Sequence, residues 1–197
     1  MITNSRDLFF VRQIQVNFYF KKNKVVQSLF FLENMLFKNY VIKNEDFLSN
    51  IKLKWLFDQL SKPNQIDKSL YNLKPLIDNK KTKKYILALL EDFSKINSLS
   101  DQKYFIQNFK KFNSSFNKII TLANENFTTS YEFQILNFLY VSNLSEIKKY
   151  KDLLFKIKKK VDIAEIVFIE FFFKNCNFTK VSKFRYLFNL LKELIKR

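Results

Sequence analysis

Apolar residues recur along this chain at spacings of three and four, so the elements they predict are helices. Leu8, Val11, Gln15 and Phe18 open a first helix over roughly 4–20, and Phe9 and Ile14 widen its apolar side. A second, about 23–42, carries Val25, Val26, Leu29, Leu32, Leu36 and Tyr40. A third, about 47–62, carries Leu48, Ile51, Leu53, Trp55, Leu56 and Leu60. Pro63 ends it, because proline biases the residue before it away from helix. Residues 63–74 show no strong pattern and read as a linker. Pro75 suits the first turn of the next helix, whose stripe is Ile86, Leu89, Leu90 and Phe93.

The polar stretch Ser98–Asp101 caps a helix of about 101–125, striped by Phe105, Phe109, Phe112, Phe116, Ile119 and Ile120. Thr129 with Glu132 has capping-box spacing for a helix of about 130–142. Asn143 with Glu146 does the same for about 145–159, and Asp162 with Glu165 for about 162–175. A last helix runs to Arg197. Phe171–Phe173 is short enough to be a buried strand, but its flanks read as helix. The expected fold is all-α: a single-domain (1–197) orthogonal helical bundle of about eight to ten helices, without internal repeats.

Composition sharpens this picture mainly by exclusion. Among 197 residues there is no glycine and no histidine. Glycine supplies left-handed turns and close approach to phosphate, so a Walker-type loop, a Rossmann turn and a nucleophile elbow are excluded. Without histidine there is no Ser-His-Asp triad, no Cys-His dyad and no histidine-bearing zinc site. Helices here must end without a glycine cap. Asparagine is the next choice, and Asn23, Asn44, Asn64, Asn79, Asn97, Asn126, Asn143 and Asn177 lie near the expected breaks. One cysteine, Cys176, precludes an internal disulfide and reads as an inert buried thiol.

The chain is basic, with 35 Lys+Arg against 18 Asp+Glu and a formal charge of +17. Nearly all of the cations are lysine, which AT-rich codons supply to any solvated face; only four are arginine. The distribution is uneven: residues 148–197 hold 14 Lys/Arg against 5 Asp/Glu. The tightest cluster is Lys156, Lys158, Lys159 and Lys160, which reads either as a solvated helix face or as a contact surface for an anionic partner. No apolar run reaches the ~18 residues of a membrane span. The N-terminus lacks a signal-peptide layout, because Arg6 and Asp7 interrupt it. With 25 Phe, an exposed apolar patch is also expected, at Phe171–Phe173 or along Phe105–Phe116, unless these lie in the core.

Three blocks, in order, carry a resemblance. They are DLFF from Asp7 with LFFLEN from Leu29, then SNIKLKWLFDQL from Ser49 to Leu60, then SKFRYLFNLL from Ser182 to Leu191. The order resembles the all-α squalene/phytoene synthase family. Within it, the chain looks most like the divergent branch of alphaproteobacteria and mitochondria that includes the respiratory complex I assembly factor. Ile51, Leu53, Trp55, Asp58 and Leu60 match the middle block, which is the specific one. The resemblance implies an isoprenoid-synthase-like fold, with these five residues in structural roles. By residue type Trp55 reads as a core anchor, and Asp58 either as the partner of a basic residue on a neighbouring helix or as a surface residue.

Active members of that family bind magnesium and prenyl diphosphates through two Asp-rich motifs. The first of these would fall on Phe37, Lys38 and Val41, none of them acidic. Magnesium needs oxygen ligands, and no two acidic residues of this chain stand at i, i+4. Asp162 with Glu165 is better explained by helix capping.

The expectation is therefore a pseudoenzyme without metal or cofactor. It would be a scaffold for assembling a mitochondrial-type respiratory complex, on the matrix side of the inner membrane or in the cytoplasm of an AT-rich alphaproteobacterium. Its partners would be protein subunits and an anionic membrane surface. Two alternatives stand beside it: an RNA-associated component of an organellar ribosome, and a transferase using prenyl diphosphates through unrecognised acidic residues.

Overall fold

In the computed structural model of the protein, the residues described are 8–39, 46–62, 66–96, 102–123, 125–142, 162–175 and 182–196. They form an all-helical bundle, with no strand among them. The helices are α1 (Phe10–Ile14), α2 (Lys24–Asn39), α3 (Asp46–Ser61), α4 (Lys74–Ile77), α5 (Lys80–Ser94), α6 (Gln102–Leu122), α7 (Tyr131–Val141), α8 (Ile163–Asn175) and α9 (Lys183–Ile195). The expected helix at 145–159, the lysine cluster Lys156–Lys160, the cap at Ser98–Asp101 and Cys176 lie outside the described residues.

Helix α2 is central and packs on α4, α6 and α7. Its Val26, Leu29, Phe30, Leu32, Leu36 and Phe37 are all buried. Helices α5 and α6 form the most extensive helix pair, and α3 lies against α5. Helix α8 packs on α7, and α9 packs on α8. The stripes Ile86–Phe93 and Phe105–Ile120 are fully interior, as is Phe171–Phe173, which is helical and not a strand. Neither Phe-rich segment is a surface patch. Phe37, Phe93, Phe105, Phe109, Phe112 and Phe138 interlock with ring centroids about 5–6 Å apart, mostly tilted or edge-on. That geometry suits the ring quadrupoles better than face-to-face stacking.

Several local expectations are corrected. The first helix is not continuous α: after Ile14 it widens into a π-helical turn, Gln15–Tyr19. The wider turn breaks the stripe, so Gln15 stays buried while Phe18 is 77% exposed. The patternless 63–74 segment contains a 3-10 helix, Lys68–Leu73, that buries Leu70 and Leu73. Asp67 caps it by accepting from the Ser69 amide. Among the described residues, asparagines serve as caps at helix N-termini. Asn79 accepts from the Lys81 amide and Asn23 from the Val26 amide. The C-terminal caps Phe20, Asp78, Lys95, Ser142 and Lys196 all keep negative φ.

Candidate functional site

Three features stand out: a charge cluster inside the bundle and apolar residues left outside it on α3 and α9. The interior cluster centres on Arg12, which is 1% exposed. A guanidinium carries five N–H donors in a fixed fork, and all five are used here. Nε and Nη2 grip the two oxygens of Glu33 at 2.7 and 3.0 Å. Nη1 donates to Glu165 and to Gln15, both at 2.8 Å. Nη2 also donates to Thr129 Oγ1 at 2.9 Å. The guanidinium carbon lies 4.3 Å from the Phe30 ring centroid and 4.7 Å from that of Phe133.

The acceptors are held in turn. Glu33 also receives Gln134 at 2.8 Å and Asn137 at 3.2 Å. Glu165 receives the Thr129 hydroxyl and the Ser130 amide. Gln15 donates onward to Asp162 at 2.9 Å. The cluster thus ties α1 and its π turn to α2, α7 and α8. The π turn is what turns Gln15 inward beside Arg12. Asn137 Oδ1 is the buried polar side-chain atom without a partner among the described residues.

One guanidinium faces two carboxylates in the buried interior, and the cost falls on Glu165. Burial, opposed by Arg12 and reinforced by nearby Asp162, pushes its carboxyl up to about 7. Burial by itself would lower the Arg12 pKa, but Glu33 and Glu165 more than offset that and raise it. The arrangement has the character of a lock: the fork is saturated. Among the described residues no three acidic, cysteine or histidine side chains are placed to hold a metal.

Two capping expectations change with this geometry. Asp162 does cap α8, accepting from the Ala164 amide at 3.0 Å. Glu165 serves the cluster instead. Ser130, not Thr129, caps α7 by accepting from Phe133, which frees the Thr129 hydroxyl for Arg12 and Glu165. Periodicity passes over Arg12, Glu33 and Glu165 because it scores apolar positions. The available signal is charge in the wrong place: each stands inside an apolar run, and Arg12 is one of only four arginines in a chain whose cations are mostly lysine.

The residues singled out for their family resemblance all sit on α3, but they do not share one environment. Leu56 and Leu60 are buried, and Leu53 and Phe57 pack at the core's edge. Trp55 is not a core anchor: it is 43% exposed, with Leu48 and Ile51 similarly open. At about 100° per residue, Leu48, Ile51 and Trp55 share a face roughly opposite the one that packs on the core. Asp58 is exposed on the same side of the helix. Of the positions that would match the first Asp-rich motif, Phe37 is buried and Lys38 exposed, and Val41 lies outside the described residues.

Helix α9 repeats the pattern of α3. Tyr186 and Leu190 are buried, and the Tyr186 hydroxyl donates to the Ala164 carbonyl of α8 at 2.8 Å. Burial raises the Tyr186 pKa, consistent with a hydroxyl that stays protonated as a donor. Phe184, Leu187, Phe188, Leu191, Leu194 and Ile195 remain exposed. Two surface depressions are also present, of about 530 Å³ between α5 and α6 and about 220 Å³ between α8 and α9. No described helix is long and apolar enough to cross a membrane.

No protein-family model, curated protein sequence or solved structure matches this chain.

Proposed function

We propose that this protein is a non-enzymatic scaffold that docks protein subunits of a larger respiratory-type complex, through the outer face of α3. The observation that carries this reading is the exposure of Leu48, Ile51 and Trp55 on a helix whose opposite face is already anchored in the core. Tryptophan is enriched among residues that dominate binding energy at protein interfaces. Ile51 and Trp55 belong to the block that resembles the squalene/phytoene synthase family, so that block has a surface to offer. The polar interior is consistent with this reading, because Arg12 spends its donors on the fold. The respiratory context, the matrix face of the inner membrane and the isoprenoid-synthase-like ancestry rest on the resemblance alone.

The test is capture of tagged protein from its native cells, comparing wild type with an Ile51→Ala/Trp55→Ala variant. Subunits or assembly intermediates of a respiratory complex should co-purify with wild type and be lost at least tenfold from the variant. A second reading, an RNA-associated ribosomal component, is favoured by the charge of +17. Co-purification of ribosomal proteins and rRNA, equal for both forms, would select it and refute docking through α3.

A further inference from the structure

The apolar side of α9 is the most exposed large hydrophobic surface among the described residues. Phe184 is 79% exposed and Ile195 84%, with Leu187, Phe188, Leu191 and Leu194 between them. At about 100° per residue these six fall within an arc of about 120°. The arc points away from Tyr186 and Leu190, which hold the helix to α8. Along one border of the arc lie Arg185, Lys192 and Lys196, and along the other lies Lys183. Lys192 already leans on the stripe, with Nζ 5.6 Å from the Phe188 ring centroid. Glu193, the acidic residue of this helix, is part-exposed on the side away from the arc, where it lines the α8–α9 depression beside Lys192 and Lys196 and pairs with Lys196 at 2.7 Å.

We propose that α9 lies in the plane of an anionic lipid bilayer, its six apolar side chains entering the headgroup–acyl boundary and its flanking cations meeting lipid phosphates. Three arguments select this occupant. An apolar arc bordered on both sides by long cations is the layout of an interfacial helix, whose lysines bury their stems and keep their heads at the phosphates. A helix of 13 residues is about 20 Å long, so it can lie on a bilayer but not cross one. A second copy of the chain would bring another +17 against these cations, whereas an anionic surface complements them. The inference is independent of docking through α3, and vesicle binding needs no protein partner. Failure of one therefore leaves the other standing.

The experiment is flotation of the full chain with vesicles of phosphatidylcholine alone and with added phosphatidylglycerol. Wild type should bind the anionic vesicles, and weaken by about fivefold for each of Arg185→Gln and Lys192→Gln. The variant Phe184→Ser/Phe188→Ser/Leu191→Ser keeps every charge, and should lose about tenfold or more in binding while melting as wild type does. If it binds as wild type, adhesion is general electrostatic adsorption and the proposal falls. It falls equally if wild type ignores both vesicles and instead forms a dimer that this variant abolishes. A fluorescence readout avoids reliance on the triple change: in a Trp55→Phe background, Phe188→Trp emission should shift to the blue with anionic vesicles. Tyr104→Trp on α6, in the same background, should not shift.

Discussion

Arg12 is the residue on which most of the interior depends. Replacing it with leucine would leave Glu33 and Glu165 buried without a counter-charge, which costs about 3–5 kcal/mol. Arg12→Lys keeps the charge but not the five-donor fork, so a loss of about 2 kcal/mol is expected. Urea denaturation checks both; a change below about 1 kcal/mol for Arg12→Leu would mean that the cluster does not hold the fold.

Glu165 sets a pH dependence with a definite sign. Its folded pKa, about 7, lies above the ordinary value of 4.5. The folded state therefore binds more protons between those limits, and the stability linked to Glu165 is complete below about pH 4.5 and is lost as pH rises through 7. Wild type should melt higher at pH 5.5 than at pH 8, and Glu165→Gln should flatten that difference. An unchanged pH slope in Glu165→Gln would contradict the assignment. None of this was legible from periodicity, because a buried ion cluster is built from residues that pattern reading assigns to solvent.

At the scale of elements, the helices of the core were legible and the roles of α3 and α9 were not. Ile86, Leu89, Leu90 and Phe93 recur on one stripe and meet one interior. Spacing shows which residues share a face; it does not show whether a neighbour covers that face. Helix α3 carries apolar residues on two opposite sides, and the bundle covers the side of Leu56 and Leu60. Trp55 was expected inside for its residue type and lies outside because of that choice. Its emission should be solvent-like and readily quenched by acrylamide, and a blue-shifted, protected signal would return it to the core. Phe18 was misplaced for a different reason, since a π turn shifts every later residue around the helix axis. Tyr186 and Leu190 are the ties of α9 to the bundle. Leu190→Ala should speed amide exchange throughout α9 and leave α5 and α6 protected; uniform protection would contradict this.

For the whole molecule, charge and apolar exposure act together. A chain at +17 repels its own copies, which helps keep molecules with uncovered Trp55 and Phe188 apart. The saturated Arg12 cluster keeps α1, α2, α7 and α8 as one body behind the two exposed helices. The resemblance in sequence pointed to the α3 block, and the fold turns part of that block outward. The most direct measurement is therefore site-specific photo-crosslinking from Ile51 on α3 in native cells, with Lys84 on the solvent side of α5 as the control. Adducts to respiratory-complex subunits from position 51, absent from position 84, are the expected result. Adducts to ribosomal proteins or RNA, or the same adducts from both positions, would contradict a protein-docking role for α3.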